Sequence, residues 1–259
     1  MRELLILLAL YVAYSLTRTL ANPDVDAARH RAAELVDAEV MLGLAFESGL
    51  NRWASDIAWL GAGMSFWYAA LHYVVTPLAL YWLYSRQRAR YVRARIALVI
   101  ASVLALIGYV VVPTAPPRLM ATGFVDTLAR YADVGWWSSH ASAPEGFGHL
   151  TNELAAMPSL HVGWAVWVAW ALYPLLHRLW RWAVIVYAVG TTVVVVATGN
   201  HWILDAAAGA AVVWLGIALT RLVTIHTTTE ELPVGDTKRQ DRSGTPCING
   251  RCSARPRTP

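Results

Sequence analysis

His201 and Asp205 are the residues with the clearest chemical potential, because they lie four positions apart inside an apolar segment. On a helix, positions i and i+4 share a face, so the carboxylate of Asp205 is predicted to accept the Nδ1 proton of His201. That contact would fix the imidazole tautomer and leave Nε2 free as a nucleophile, as the carboxylate does in a catalytic triad. A neutral imidazole can attack phosphorus, and the carboxylate would stabilise the positive charge that develops.

Four further residues complement such a nucleophile. One lies next to His201, and the other three lie in two separate stretches of the sequence. His161 starts another apolar run, and in its protonated form it can protonate a leaving oxygen. Arg118 follows a third run and carries a planar, charged fork that matches phosphate oxygens. Ser159 is predicted to cap a helix whose free N–H groups offer an anion site, and Asn200 either orients its turn or touches phosphate. Together these residues predict metal-independent phosphoryl transfer through a phosphohistidine, without a cofactor.

The composition indicates an integral membrane protein. Hydrophobic residues make up 57% of the 259-residue chain and charged residues 15%, whereas soluble domains carry about 25% charged residues. The net charge of +4 comes largely from arginines beside apolar runs, so membrane topology explains it and no nucleic-acid partner is predicted. Cys247 and Cys252 lie in a polar tail without a nearby histidine, and no metal site is predicted there.

Apolar runs predict an all-α bundle of six transmembrane helices, each about 20 residues long. No small-residue cleavage site follows the first run, so an uncleaved span is favoured over a signal peptide. Residues 1–225 are thus predicted as one catalytic membrane domain with core motifs at 113–209, and residues 226–259 as a disordered cytoplasmic tail. The predicted spans are 4–20, 57–84, 96–112, 159–176, 182–198 and a last one from His201 or Trp202 to about Val223.

Two segments between the runs complete the predicted architecture. Residues 22–56 are predicted to form a helix along the membrane interface, with Val36, Val40 and Leu44 on its apolar side. The irregular segment 113–157 is too polar and too rich in proline to cross hydrocarbon. It is predicted as an extracytoplasmic loop with short helices.

The arginine distribution predicts the orientation. Five arginines lie between residues 86 and 95, and this run is predicted as a cytoplasmic loop. The basic link 177–181 follows two spans later and falls on the same side, as do both termini. Arg118, His161 and His201 then share the opposite face. The sequence therefore predicts a multi-pass protein of the cell membrane with an extracytoplasmic active site.

The three stretches resemble the type-2 phosphatidic acid phosphatase superfamily of lipid phosphate phosphatases and phosphotransferases. They are more similar to the branch that includes fungal inositol phosphorylceramide synthase, whose members carry P-S-x-H and H-x3-D elements. The resemblance implies a six-helix membrane bundle acting on a lipid-linked phosphate, with His201 as nucleophile, Asp205 as its partner and His161 as general acid. The matching letters are P-P-R at 116–118, P-S-L-H at 158–161 and G-N-H-W-I-L-D at 199–205.

The chain also departs from the phosphatase pattern. Val111 stands where phosphatase members have a lysine, and Val194 and Val195 stand where they have a serine and an arginine. Leu160 replaces a glycine of the second motif. A site with fewer cations suits a phosphodiester donor, which carries less charge than a monoester. This difference favours a phosphotransferase or synthase, such as an inositol-phosphate or other polar-alcohol transferase, while a hydrolase remains the alternative.

Rival interpretations use the same residues. A zinc site built on His161, His201 and Asp205 has suitable ligand types, but no H-E-x-x-H pattern appears and Arg118 would repel a cation. A transporter would be favoured by inverted repeats and several broken helices, and the sequence displays neither. His72, inside the second span, is predicted to be a packed polar group, and the loop histidines at 140 and 149 are predicted to have no catalytic role.

Overall fold

The structure is a computed structural model that describes residues 12, 16, 24–120, 123–137 and 152–230, with side chains up to Arg221. This part of the chain is helical and contains no strand. A compact unit extends to Thr220, and a second unit begins at Arg221. The α-helices are α1 Val25–Met41, α2 Glu47–Asp56, α3 Ala58–Phe66, α4 His72–Arg86, α5 Arg88–Val111, α6 Thr127–Arg130, α7 Leu160–Leu172, α8 Arg178–Ala197 and α9 Ile203–Glu230.

The segment predicted as one interfacial helix forms two helices, α1 and α2. Asp24 caps α1, because its carboxylate accepts a hydrogen bond from the N–H of Ala27 at 2.9 Å. The chain turns after α1 at Gly43, whose φ of 73° is a conformation that glycine adopts readily. The prediction of a single continuous helix is therefore wrong, although both halves are helical.

The buried face of α1 matches the predicted one only in part, because Val36 packs against the core but Val40 does not. Val40 is 56% exposed, whereas the alanines at 28 and 32 are fully buried. Small side chains let α1 approach the segment that follows α5, where Arg31 Nε donates to the carbonyl of Pro113 at 2.6 Å. Close backbone approach, rather than the bulk of the valines, decides which side of this helix packs on the protein.

The second predicted span is continuous helix from Ala58 to Arg86, made of α3, a π-helical turn at Trp67–Leu71 and α4. Only Gln87 separates α4 from α5, so the arginine run is helical and its prediction as a loop is wrong. Arginine is a good helix former. Arg90 also has partners there, because its guanidinium donates to the carbonyls of Trp170 and Ala171 at the end of α7.

Within the described residues, three helices are long and apolar enough to cross a membrane: α5, α8 and the part of α9 from Ile203 to Arg221. α7 and the 3-10 turn that follows it form a shorter apolar helix, Leu160–Leu175. The predicted span 4–20, the loop histidines at 140 and 149, and the tail from 231 onward lie outside the described residues, apart from residues 12 and 16. Six spans remain a prediction.

The first turns of α7 and α9 pack against each other without intervening side chains. A Cβ atom placed on Gly209 would collide with the backbone of Ser159, and one on Gly163 would lie 3.1 Å from the carbonyl oxygen of Gly209. Behind this contact, the fully buried Trp167 of α7 donates its indole N–H to the carbonyl of Ala94 on α5 at 2.8 Å. These contacts fix the position at which α7 and α9 begin.

Substituting Gly209→Ala is expected to lower the melting temperature and the activity together. The added methyl group meets backbone atoms, which cannot move aside as a flexible side chain can, and overpacking of this kind costs about 1–3 kcal/mol. Gly49→Ala is the matched control, because a Cβ there meets nothing within 4 Å. Thermal unfolding of both variants in detergent measures the difference. Equal melting temperatures would contradict the close packing.

Candidate active site

Backbone hydrogen bonds bring together the three stretches that carry the predicted site residues. Arg118 N–H donates to the carbonyl of Gly199 at 2.9 Å, and Ser159 N–H donates to the carbonyl of Asp205 at 2.9 Å. The indole of Trp202 donates to the carbonyl of Ala115 at 3.0 Å. Segments 46 to 87 residues apart in sequence therefore meet at the beginnings of α7 and α9.

His201 precedes α9 instead of lying on it, so the predicted helical i, i+4 geometry is wrong. Its Nδ1 atom lies 2.9 Å from the carbonyl oxygen of Ala156 and 3.7 Å from Oδ2 of Asp205. Asp205 uses that same Oδ2 to accept the N–H of Trp202 at 2.9 Å. Because a carbonyl oxygen only accepts, the hydrogen-bond network assigns the proton of a neutral His201 to Nδ1. The carboxylate of Asp205 is close enough to form an ion pair with the imidazolium of His201.

The remaining polar atoms of this pair are buried and unpaired. His201 Nε2 and Asp205 Oδ1 have no hydrogen-bond partner among the described residues. His201 is 4% exposed and Asp205 is fully buried. Buried polar atoms normally have partners, so unpaired ones in a native site require an explanation. With Nδ1 protonated, Nε2 carries the lone pair that a nucleophile needs.

His161 lies in the first turn of α7 and is surrounded by rings. Its ring centroid is 5.6 Å from that of His201. Tyr68 stacks on His161 at 4.2 Å, and His72 meets its edge at 4.3 Å. Tyr68 lies in the π-helical turn and His72 directly follows it; such turns inside α-helices occur frequently at functional sites. His72 is packed, as predicted, but it packs on His161 itself.

Ser159 and Asn200 use their side chains locally. Ser159 is fully buried, and its Oγ caps α7 by accepting the N–H of Val162 at 3.5 Å, as predicted for a helix cap. The amide of Asn200 donates to the hydroxyl of Thr198 at 3.0 Å and to its carbonyl oxygen at 3.3 Å. These bonds support the turn before His201, which is one of the two roles considered for Asn200, and its contact with phosphate stays a prediction.

Arg118 is held at the edge of the site. One of its Nη atoms lies 3.5 Å from a carboxylate oxygen of Asp126, and its side chain is 11% exposed. Its Nε atom is buried and has no hydrogen-bond partner in the described part of the chain. The guanidinium thus retains an unused donor, the kind of group that binds a phosphate oxygen.

The three valine positions that depart from the phosphatase pattern supply no cation in the structure. Val194 and Val195 are buried, and the carbonyl of Val195 accepts the N–H groups of Asn200 and His201. Val111 is 68% exposed at the end of α5. Val194 and Val195 are therefore part of the packing around the turn that presents His201, whereas Val111 is not.

Two buried glutamates beside the site were not predicted from the sequence. Glu47 on α2 accepts the N–H of Ile203 at 2.6 Å, and Glu39 on α1 accepts the N–H of Leu204 at 2.8 Å. With Asp205, three carboxyl groups thus receive three consecutive N–H groups at the start of α9, where the helix dipole favours negative charge. No short-range pattern joins residue 39 or 47 to residue 203, so only the fold reveals this arrangement.

Burial governs the ionisation of the two glutamates. Both are less than 5% exposed, and burial raises the pKa of each. The pKa of Glu47 rises to about 8, first through burial and then through the neighbouring charge of Glu39, with Asp205 adding to the shift. At neutral pH Glu47 therefore retains its proton, which relieves the repulsion among three acids beside His201.

Substituting Glu47→Gln is expected to flatten the dependence of stability on pH. The pKa of Glu47 rises from 4.5 to about 8 in the folded protein, so the native state binds more protons and loses stability as pH rises through that interval. A glutamine can still accept the N–H of Ile203 but does not ionise. Melting temperatures in detergent from about pH 5 to about pH 9 test this against the exposed control Glu34→Gln. Parallel curves for wild type and Glu47→Gln would contradict it.

The donor set offers little to a metal ion. In the described ranges, no group of three His, Cys, Asp or Glu side chains is arranged to hold one. The arrangement of these side chains therefore gives the zinc interpretation no support.

Comparison with known proteins places the chain in a family. The profile of the PAP2 superfamily matches residues 33–219, a range that includes both glutamates and every predicted site residue. Comparisons with curated proteins and with solved structures give no match. The matched range covers well over half of the sequence and contains the convergent stretches described above. The chain therefore belongs to the PAP2 superfamily, which is the superfamily that its motifs resemble.

Proposed function

We propose that the protein is a membrane-embedded phosphatase or phosphotransferase that acts on a lipid-linked phosphate through a phosphohistidine at His201. Membership in the PAP2 superfamily supports phosphatase or phosphotransferase chemistry, and three apolar helices support a membrane location. The observation that carries the proposal is the pair of imidazoles 5.6 Å apart, one of them with a buried, unpaired Nε2.

The first half of the proposed reaction forms a covalent intermediate. The lone pair on His201 Nε2 attacks phosphorus, an N–P bond forms and the bond from phosphorus to the leaving oxygen breaks. His161 gives its proton to that oxygen. Asp205, at 3.7 Å from Nδ1, stabilises the imidazolium that results, and the free donor of Arg118 binds a phosphate oxygen.

The second half regenerates the enzyme. Water or an alcohol attacks phosphorus, an O–P bond forms and the N–P bond to His201 breaks. His161, now neutral, takes the proton of the attacking hydroxyl, so the proton lent in the first half returns. Each residue ends in its starting state, and the steps balance without a metal ion or cofactor.

The chemistry of the acceptor distinguishes two forms of the proposal. A hydrolase passes the phosphate to water. A transferase passes an inositol phosphate, or another polar alcohol ester of phosphate, between lipids. The valines at 111, 194 and 195 leave the site with fewer cations than the phosphatase pattern, which favours a phosphodiester donor and the branch that includes inositol phosphorylceramide synthase.

The proposed orientation has the site on the extracytoplasmic face of the cell membrane and both termini in the cytoplasm. His161 lies at the beginning of α7, whereas Arg90 contacts the carbonyls at its other end. The arginine run and the basic link at 177–181 therefore lie at the end of the helix that is remote from the site. Lysine and arginine are enriched on the cytoplasmic side of membrane proteins, and this supports the orientation.

A substrate panel tests the function. Purified protein in detergent is incubated with phosphatidic acid, polyprenyl phosphate and phosphatidylinositol, each with and without inositol or ceramide, and with a chelator present. Release of inorganic phosphate from a monoester donor, or of inositol phosphate from phosphatidylinositol, without a new phosphodiester lipid identifies a hydrolase. A new phosphodiester lipid identifies a transferase. Turnover that depends on added metal, or no turnover of any donor, would contradict the proposal.

A further inference from the structure

We propose that His72 and Thr76 form a binding subsite for an uncharged alcohol: the leaving alcohol of the donor in the first half-reaction and the acceptor hydroxyl in the second. The inference rests on the proposed function and adds to it the side of the site from which the alcohol reacts. His72 and Thr76 bind and orient this group, while the proton itself moves to and from His161.

The first observation is that both residues hold buried polar atoms without partners. His72 Nδ1 and Thr76 Oγ1 make no hydrogen bond in the described part of the chain. The imidazole of His72 also interacts with the backbone of Tyr68, four residues earlier, without a well-aligned hydrogen bond to Nδ1. His72 is 9% exposed and Thr76 is 3% exposed. Burying such groups unpaired among apolar helices costs free energy, which a polar ligand would recover.

The second observation is that the two residues share a face of α4. They lie at positions i and i+4, which brings their side chains together on one side of a helix. Their lipid-side neighbours on the same helix behave differently, because Tyr73 and Leu78 are each 60% exposed. The polar pair therefore faces the interior, toward α7, with which α4 packs.

The third observation is the order of the rings. His161 contacts both His72 and His201, with centroid distances of 4.3 and 5.6 Å, whereas no ring contact joins His72 with His201 in the described residues. In phosphoryl transfer the attacking and leaving atoms lie roughly in line across phosphorus. A leaving oxygen protonated by His161 therefore points away from His201. The ring of His72, which carries the unpaired Nδ1, contacts His161 and not His201 in the described residues. It therefore lies on the side of His161 on which the leaving alcohol is expected.

The chemistry of the pair suits a hydroxyl group rather than a phosphate. A neutral imidazole and a threonine hydroxyl can each donate or accept one hydrogen bond, so together they match an alcohol oxygen. The permanent positive charge of Arg118 suits the phosphate instead. Trp164 does not compete for the ligand with its indole N–H, which already donates to Ser102 Oγ at 3.2 Å.

Two variants and a control test the subsite. Thr76→Val removes the hydroxyl while keeping the shape, and His72→Phe keeps a ring against His161. Thr192→Val is the control, because its hydroxyl is already used by the carbonyl of Ala188 at 3.0 Å. The donor is dioctanoyl phosphatidic acid in detergent micelles, with glycerol as added acceptor. The assay follows inorganic phosphate and glycerol phosphate, and also the inhibition by dioctanoylglycerol, the leaving alcohol.

Loss of one hydrogen bond to the alcohol is expected to raise the inhibition constant for dioctanoylglycerol about 3- to 10-fold in each variant. Where glycerol phosphate forms, the KM for glycerol rises by a similar factor. Thr192→Val matches wild type in both constants. The melting temperature of Thr76→Val is expected to equal or exceed that of wild type, because the variant removes an unpaired buried hydroxyl.

The outcomes separate this inference from the function on which it rests. If the wild type turns over and both variants keep its inhibition constant for dioctanoylglycerol and its KM for glycerol, the subsite is overturned. The proposed function would then still stand. A lower melting temperature of Thr76→Val, with all activities reduced in proportion, would show a packing role and also overturn it. No turnover by wild type on any donor of the panel would overturn both.

Discussion

Turnover is expected to fall by a factor on the order of 10⁴ to 10⁶ when His201 is replaced with alanine, as when the nucleophile of a catalytic triad is removed. The alanine removes the Nε2 lone pair, and no other unpaired imidazole nitrogen occupies its place beside Asp205 among the described side chains. Initial rates on the best donor of the panel measure the loss. A radiolabelled donor should also label wild-type protein with an acid-labile phosphate that the variant lacks.

The controls for this variant isolate the chemistry. His177→Ala removes an exposed histidine at the start of α8 and should retain wild-type rates. Asp205→Asn should retain slow turnover, because the amide oxygen can still accept the N–H of Trp202 while the charge that stabilises the imidazolium is lost. Normal activity in His201→Ala, or labelling of that variant with phosphate, would refute the mechanism.

Activity in His161→Ala is expected to depend strongly on the leaving group. General acid catalysis contributes about 10²- to 10⁴-fold, and the loss should reach this range for a lipid donor whose leaving alkoxide needs a proton. A p-nitrophenyl donor releases a phenolate that is stable without one, so its first half-reaction should slow far less. The second half-reaction still lacks its base. A burst of one nitrophenolate per enzyme, followed by slow turnover, is therefore the expected time course.

The two donors serve as controls for each other. A variant that is merely misfolded loses both reactions by the same factor, whereas loss of a proton donor affects the lipid donor selectively. Tyr68 and His72 pack on the ring of His161 and remain in the variant, so its melting temperature provides the structural check. Equal losses in the rate of the first half-reaction on both donors, with an unchanged melting temperature, would contradict the role of His161.

Much of the site could be predicted from short patterns. Helix caps, apolar runs and residue chemistry are local properties, so the sequence predicted the cap at Ser159, the helical character of the main runs and the residues that converge. The boundaries were less accurate. α5 begins at Arg88, within the arginine run, and α9 begins after His201. Contacts such as that of Arg90 with the end of α7 lie outside any local pattern, so the sequence alone could not place these boundaries.

The sequence by itself determined the class of protein, an apolar helical chain, and the three stretches that hold the candidate chemistry. Only the tertiary structure decided which atoms face one another. In the folded protein, Nδ1 of His201 lies against the carbonyl of Ala156, and His72 packs against His161. Glu39 and Glu47 accept N–H groups at the start of α9. The physical reason is that hydrophobicity and helix propensity act between near neighbours in the chain, whereas a hydrogen bond between residues 156 positions apart exists only after the helices have packed.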